Sequence, residues 1–519
     1  MKEYKFLRLP LFVYVFFLAL FLRLYNLGAP SIWVDEAFCV WAAKFDLPSL
    51  LRYVSADAHP PLYFILLHFW IKLFGAGEFA VRLLSVTFGM GTLVLIYSLC
   101  NEVFRNKKYG LIASLLYGVS SFSIVDIDTN VRMYAMTAFL ITLSVYLLCR
   151  IIREEKPYLW IIYALTLVSA LYTHYFAFFA IFAEIICIVF FYGRGGSADN
   201  NKWPGIKPAF IIGFILLLSY IPWTNQFFAQ IFIFPKSGFN RGLNIFDIAQ
   251  VLYFYLTPFI SRINIWLVCA SAILSFILLF CGIIRISKYR CGSVISLIFV
   301  TVFILPFIIS LIPGQRCIFQ LRTLTTIYPL FLVILSCAVM ELKNKYLTYF
   351  LVAVLIVINS VFYFQYINDP GCRKQDWRTA VSCVEEEARP GDVILIQASC
   401  NVHPFNYYYK EGLLKVYVPE PELAEGIWFY KLDYNDKYRA EGGCPQYLID
   451  NFNESFLRKI AQSCGRIIFI ANAETLVDPQ RKVFGWLNGN CVYSQGVRVE
   501  SSYPGYSNIF IGIFKTKHQ

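Results

Sequence analysis

Apolar runs long enough to cross a bilayer, separated by short polar segments, dominate the chain from Pro10 to Tyr366. The pattern predicts eleven spans: Pro10–Leu27, Val81–Val103, Gly110–Val125, Tyr134–Ile151, Tyr158–Tyr172, Phe176–Tyr192, Pro208–Trp223, Ile263–Ile286, Ser293–Ile312, Leu324–Met340 and Tyr346–Tyr366. One further stretch, "HPPLYFILLHFWIKLF" (His59–Phe74), has too short an apolar part for the roughly 20 residues a crossing helix needs. It reads as a juxtamembrane or partly embedded helix. From Pro370 the pattern changes to that of a soluble domain. "QDWRTAVSCVEEEARPGDVILIQ" predicts a helix, a Pro-Gly turn and a buried strand over Asp392–Gln397. "CGRIIFIANA" predicts a second strand, and Val497–Ser501 with Ile509–Phe514 a terminal strand pair.

Loop charge orients these elements. If His59–Phe74 does not cross, the clusters Lys2/Lys5/Arg8, Arg105/Lys107/Lys108, Arg150/Arg153/Lys156, Arg194/Lys202/Lys207, Arg285/Lys288/Arg290 and Lys343/Lys345 all fall on one side. The positive-inside rule makes that side cytoplasmic. The N-terminus is then cytoplasmic. Gly28–Ala80 forms one long external loop, and the chain divides into a membrane domain, 1–369, and an external α/β domain, 370–519. The location this predicts is the plasma membrane, crossed many times.

Composition agrees. The chain is 58% hydrophobic and 15% charged, against about 25% charged in soluble domains. The net charge of +12 sits mostly in the short loops, so it calls for no nucleic-acid partner. The first apolar run lacks a small-residue cleavage site and reads as a retained span rather than a signal peptide. No P-loop or internal repeat is present. Six cysteines (Cys372, Cys383, Cys400, Cys444, Cys464 and Cys491) fall in the external domain, where disulfides and buried free thiols are both open readings. Their spacing makes no metal site.

With this topology, polar residues collect at one membrane face. The first loop supplies Asp35, Glu36, Asp57 and His59, and "DIDTNVRMYAM" supplies Asp126, Asp128, Asn130, Arg132 and Tyr134. "LYTHYFAFF" supplies His174 between Tyr172 and Tyr175, and "PGQRCIFQLRT" supplies Gln315, Arg316, Gln320 and Arg322. Each has a plain structural alternative. Adjacent acids can cap a helix, an arginine at a span end can be a snorkelling anchor, and a histidine among tyrosines can be interfacial. Together they suit one chemistry. A carboxylate can take a proton from an acceptor, and arginines can hold a phosphate by paired hydrogen bonds.

"WVDEA" (Trp33–Ala37), "HPPLY" (His59–Tyr63) and "VRMYAM" (Val131–Met136), in this order, resemble the polyprenyl-phosphate-sugar-dependent glycosyltransferases of the GT-C superfamily. The branch resembled is the glycosyltransferase family 39-like one of protein O-mannosyltransferases, aminoarabinose transferases and rhizobial lipopolysaccharide transferases. The similarity runs along roughly Leu9 to Ala380, and "QDWRTAVSCVEEEARPGDVILI" is similar to the opening of the external domain in bacterial members. The fold implied is a polytopic α-helical membrane protein of GT-C type with an extracytoplasmic α/β domain. The activity implied is inverting transfer of a sugar (mannose or a similar hexose or pentose) from a polyprenyl-phosphate donor within the membrane lipids to a lipid, glycan or protein acceptor. The resemblance makes Asp35 the catalytic base and Glu36 its helper, or a ligand for a divalent cation (Mg or Mn) in members that use one. It gives Arg132, with Tyr134, the donor phosphate, and has His59, Pro61 and Tyr63 shape the helix beneath the site, near His174. Relatives often carry Arg-Tyr where this chain has Arg322-Thr323, which weakens a phosphate role for Arg322. No β-trefoil pattern of the eukaryotic protein mannosyltransferases is present. Two other classes stay open: a transporter or flippase of lipid-linked sugars, and a non-catalytic envelope-assembly protein.

Overall fold

In the computed structural model of this chain, residues 10–55, 57, 59–154, 156–193, 207–232, 243–256, 265–312, 317–369, 373–389, 391–397, 399–409, 416–417, 446–449, 454–472, 480–501 and 508–517 are described. They form two compact units. The first comprises Met1–Leu27, Leu47–Ile231 and Arg241–Gln365; the second comprises Gly28–Asp46, Phe232–Asn240 and Tyr366–Gln519.

The first unit is helical. Seven of its described helices are long and apolar enough to cross a membrane: Glu78–Phe104, Tyr134–Glu154, Ala209–Gln230, Val268–Ile286, Arg290–Ser310, Leu321–Met340 and Lys345–Asn368. Shorter apolar helices cover Leu11–Leu24, Leu62–Phe74, Pro157–Leu171, Ala177–Phe190 and Phe246–Leu256. The chain is a polytopic α-helical membrane protein. At the heart of this unit lies Tyr328–Met340, in which every residue from Tyr328 to Val339 is buried. The helix Lys207–Tyr220 instead exposes Phe210, Phe214 and Leu217, side chains suited to lipid. Buried Glu184 joins three helices by accepting from Ser144 Oγ at 2.7 Å and Tyr163 Oη at 2.6 Å, the kind of polar tie that spanning helices use.

Two local features depart from the sequence pattern. The apolar run Gly110–Val125 does not make one helix. An α-helix ends at Val119, and Ser123–Asp128 forms a π-helix, a wide turn often found at functional sites. Thr129 Oγ1 and Asn130 Nδ2 close its end by donating to the carbonyls of Ile124 and Val125 at 2.8 Å each. The helix Ile245–Leu256 was not among the predicted elements. The stretch His59–Phe74 does fold as a short helix, Leu62–Phe74. Its 13 residues reach about 20 Å at ~1.5 Å per residue, less than the roughly 30 Å bilayer core.

The second unit is an α/β sandwich around a six-stranded sheet of order β2-β3-β1-β4-β6-β5. The strands are β1 (Val393–Gln397), β2 (Val416–Tyr417), β3 (Gln446–Ile449), β4 (Arg466–Ala471), β5 (Cys491–Val499) and β6 (Ile509–Thr516). The first four are parallel; β6 runs antiparallel to β4, and β5 to β6. Strand residues alternate between two cores. Ile394, Ile396, Ile468 and Ile470 meet Trp377, Val381 and Val384 of the helix Trp377–Glu387 on one face. On the other, Leu395, Ile467 and Phe469 meet Leu457, Ile460, Val483 and Leu487. Coverage on both sides explains why β1 is apolar throughout.

Gly28–Asp46 belongs to this second unit, so the unit is not a contiguous tail. Arg378 holds the segment by donating to the carbonyls of Ala29 at 2.8 Å and Gly28 at 3.2 Å. Ile32 N donates to Tyr408 Oη at 2.7 Å. Val34 packs on the same face of the sheet as Trp377. Of the six cysteines in the C-terminal part of the chain, Cys383, Cys400, Cys464 and Cys491 are free thiols, while Cys372 and Cys444 lie outside the described residues.

Candidate functional site

In the helical unit, residues distant in sequence converge around His59. Its Nδ1 lies 3.0 Å from Asp57 Oδ2. On the other side of the ring, Arg132 Nη2 is 3.4 Å from Nε2. The His174 ring stands 5.6 Å from that of His59 and 6.0 Å from that of Tyr134. The Arg132 guanidinium sits 6.0 Å from the centre of the Tyr134 ring. Arg132 and His174 are buried, whereas the side chains of His59 and Asp57 keep 18% and 15% of their exposure. The cluster is therefore open to a ligand from the His59 side. His174 Nδ1 accepts from Phe176 N at 3.1 Å, which places any proton of the neutral ring on Nε2. Burial, with His59 and Arg132 nearby, holds its pKa well below the usual histidine value, so His174 acts as a neutral group with one donor.

The backbone explains why these groups meet. Pro61 stands at the start of the helix Leu62–Phe74, and Leu62 N donates to the Tyr172 carbonyl at 2.9 Å. This ties the His59 segment to the turn that carries His174. Buried Tyr63 hydrogen-bonds Ser85 Oγ at 3.0 Å, fastening the helix to Glu78–Phe104. Beside Pro61, Leu62 and Tyr172 opens a cleft of about 490 Å³, lined further by Leu51, Ile65, Pro222 and Trp223, with Arg52 and Gln226 at its polar points.

Arg132 lies on the connector between the π-helix and the helix Tyr134–Glu154. The π-helix is anchored by a buried ion pair that the sequence reading did not single out: Arg23 Nη2 is 2.7 Å from Asp128 Oδ2, both fully buried. Arg23 also donates to the carbonyls of Ala19, Gly118 and Tyr117 and to Ser123 Oγ at 3.0–3.2 Å. Asp128 Oδ1 accepts from Tyr117 Oη at 2.9 Å. Gly89 makes room for this carboxylate, since a Cβ there would stand 2.3 Å from Asp128 Cγ. The signal was visible, because an arginine inside an apolar span is costly without a partner.

Of the predicted residues, His59, Arg132, Tyr134 and His174 come together, with Pro61 and Tyr63 seating the helix beside them. Asp35 and Glu36 lie in the second unit, on the first turn of the helix Val34–Ala43. Glu36 is fully buried and accepts from Trp33 N at 3.4 Å, a capping position. Asp35 is half-buried. Arg322 is exposed on the one-turn helix Leu321–Leu324, and Gln315 and Arg316 fall outside the described residues. Among the described residues, no three His, Cys, Asp or Glu side chains are grouped so as to hold a metal ion.

The chain shares its fold with a solved membrane-protein structure. It superimposes on ArnT from Cupriavidus metallidurans with a TM-score of 0.56 for the apo state, at 11% identity over 96% of this chain and 97% of that one. For the same protein bound to undecaprenyl phosphate the TM-score is 0.54, at 10% identity with the same coverage. Residues 58–223 match the family described as dolichyl-phosphate-mannose-protein mannosyltransferase, and this stretch contains His59, Arg132, Tyr134 and His174. An uncharacterized protein of Aquifex aeolicus (strain VF5) is 28% identical over 156 residues, 29% of this chain. That match spans 31% of the relative's length.

Proposed function

We propose that this protein is a membrane glycosyltransferase that takes its sugar from a polyprenyl-phosphate donor and passes it to a lipid, glycan or protein acceptor on the extracytoplasmic face. The observation that carries the reading is the arginine–histidine cluster at Arg132, His59 and His174, buried on one side and open on the other, inside the stretch that matches the mannosyltransferase family. A guanidinium beside an imidazole is suited to the phosphate of the donor. The neighbouring apolar cleft suits an isoprenoid chain, and the solved ArnT complex with undecaprenyl phosphate supports a donor of this class. Asp35 deprotonates the acceptor. Attack at the anomeric carbon displaces the phosphate, whose developing charge Arg132 stabilises. A β-linked donor gives an α-linked product. Tyr134 positions the guanidinium by lying beneath it, and Glu36 holds the first turn on which Asp35 stands. The test is transfer of radiolabel from a panel of polyprenyl-phosphate sugars in membranes containing the protein. Failure of every donor, with movement of the intact lipid-linked sugar into vesicles, would replace a transferase by a flippase.

Two predictions belong to this reading. Arg132→Lys keeps the charge but loses the planar fork. Donor KM is expected to rise by roughly tenfold, the equivalent of about 1.4 kcal/mol for one lost charge-assisted hydrogen bond. An Arg132→Ala protein that folds and retains wild-type donor KM and kcat would remove Arg132 from the phosphate site. The second concerns orientation, proposed as N-terminus and Arg105–Lys108 cytoplasmic and Pro370–Gln519 external. In a reduced-cysteine background Lys107→Cys is expected to stay unlabelled by an impermeant thiol reagent in intact cells and to react after lysis. Labelling in intact cells would invert the topology.

A further inference from the structure

We propose that Arg378 and Tyr408 are positioning residues for Asp35, fixing the stretch of chain that leads into its helix. The proposal rests on the reading of Asp35 as the base and adds the groups that aim it.

Asp35 is the second residue of the helix Val34–Ala43. A carboxylate so near a helix start takes its direction from the chain that enters the helix. That chain has no intrahelical hydrogen bonds to hold it. Here it is taken up by the helices Trp377–Glu387 and Val402–Tyr408. The Arg378 guanidinium donates from Nη1 to the Ala29 carbonyl at 2.8 Å and from Nη2 to the Gly28 carbonyl at 3.2 Å. Its fork thus spans two successive carbonyls. Arg378 N lies in the first turn of its own helix, where backbone donors lack helical partners. It donates to Ser31 Oγ at 3.1 Å. Ser31 Oγ lies 3.3 Å from Tyr408 Oη, and Ile32 N donates to the same hydroxyl at 2.7 Å. The guanidinium stands 5.7 Å from the centre of the Tyr408 ring, so the two residues brace each other. Pro30 joins the carbonyl contacts to the Tyr408 contacts, and its fixed φ makes that joint stiff.

The helix itself is seated by other means. Val34 packs on the core around Trp377. The rings of Phe38 and Trp41 stand 5.5 and 4.7 Å from that of His403. These apolar contacts keep the helix on the α/β unit, while the polar ties before it set the rotation and advance of its first turn. Weakening the ties therefore leaves the helix in place and loosens Asp35. A reacting group misplaced by about 1 Å can cost on the order of 100-fold in rate. Arg378 and Tyr408 touch neither sugar nor phosphate in this reading, so their effect falls on kcat and spares donor KM.

Radiolabel transfer from undecaprenyl-phosphate hexose and pentose donors, in membranes containing the full-length protein, tests this, with rates set against the folded protein present. Arg378→Lys keeps the charge but cannot span two carbonyls. Tyr408→Phe keeps the ring but loses the acceptor for Ile32 N. Each is expected to lower kcat by roughly 10–100-fold with donor KM unchanged. Placed in Asp35→Asn, either is expected to cause less than about a twofold further loss, because a base that is absent cannot be misaimed. Arg466→Lys, which alters an ion pair with Asp392 elsewhere in the same unit, is the control and is expected to change stability but not kcat. Amide hydrogen exchange over Gly28–Asp46 is expected to quicken in Tyr408→Phe, at Ile32 first.

Wild-type kcat in Arg378→Lys and Tyr408→Phe, with transfer lost in Asp35→Asn, would overturn the positioning role and leave the base standing. An equal kcat loss in Arg466→Lys, or losses that simply multiply with that of Asp35→Asn, would do the same. Wild-type transfer by Asp35→Asn, or no transfer by the wild type from any donor, would overturn the base and its positioning together. Should Arg378→Lys not fold, Tyr408→Phe decides.

Discussion

Asp35→Asn is expected to lower sugar transfer per folded molecule by about 10²–10⁴-fold, the usual value of general-base help. The substitution nearly preserves shape and removes the charge and most of the basicity. The two acids of the "WVDEA" stretch differ in their surroundings. Glu36 is fully buried and accepts from the Trp33 N–H, whereas Asp35 is half-buried on the same first turn. A carboxylate committed to a backbone N–H in the interior is poorly placed to take a proton from a substrate. Glu36→Ala is therefore expected to act through stability, at about 0.5–2 kcal/mol for a lost cap, whereas Glu36→Gln keeps an acceptor for the Trp33 N–H and is expected to leave turnover of the folded fraction near normal. Measuring turnover and folded fraction on the same preparations separates the two effects. Wild-type turnover in Asp35→Asn would take Asp35 out of the mechanism, and a loss in Glu36→Gln as large as in Asp35→Asn would reverse the roles.

The parts of this architecture that show in the sequence are those written in local patterns. Apolar runs mark the helices because length and hydrophobicity alone set a span. The buried strands β1 and β4 stand out as short β-branched runs. The edge strand β5 was harder. It begins at Cys491, but Val492 to Arg498 are exposed and largely polar, so only its end near Val497 showed before the pairing with β6 was known. The short amphipathic helix Ile245–Leu256 fell below the length of a span. Contacts across long separations were invisible. Arg378 reaches Gly28 and Ala29 across about 350 residues, which places Gly28–Asp46 with the C-terminal sheet although its sequence reads as part of a membrane-side loop. The same holds within the site. His59, Arg132 and His174 could be gathered on one face from topology, but the order Asp57–His59–Arg132 could not.

The second large effect expected is on folding, from the pair Arg23 and Asp128. Both side chains are fully buried and 2.7 Å apart. Removing one partner leaves an uncompensated charge in a low-dielectric interior, which costs about 3–5 kcal/mol in comparable buried pairs. Arg23→Met and Asp128→Leu are each expected to lower stability by about that much. The loss in Arg23→Met extends further, because Arg23 also satisfies the carbonyls of Ala19, Gly118 and Tyr117. The pair links the first helix, Leu11–Leu24, to the π-helix that precedes Arg132. Its loss is thus expected to raise donor KM in whatever protein still folds, since the guanidinium of Arg132 is held only as firmly as the connector before it. The double variant Arg23→Met/Asp128→Leu removes both charges. It is expected to recover part of the stability, because replacing a buried ion pair by apolar residues is often neutral or better, while KM stays raised. Thermal unfolding of the four proteins in one detergent gives the coupling between the sites. If Arg23→Met alone unfolds at the wild-type temperature, or the two single losses simply add in the double variant, the ion pair is not what holds the π-helix in place.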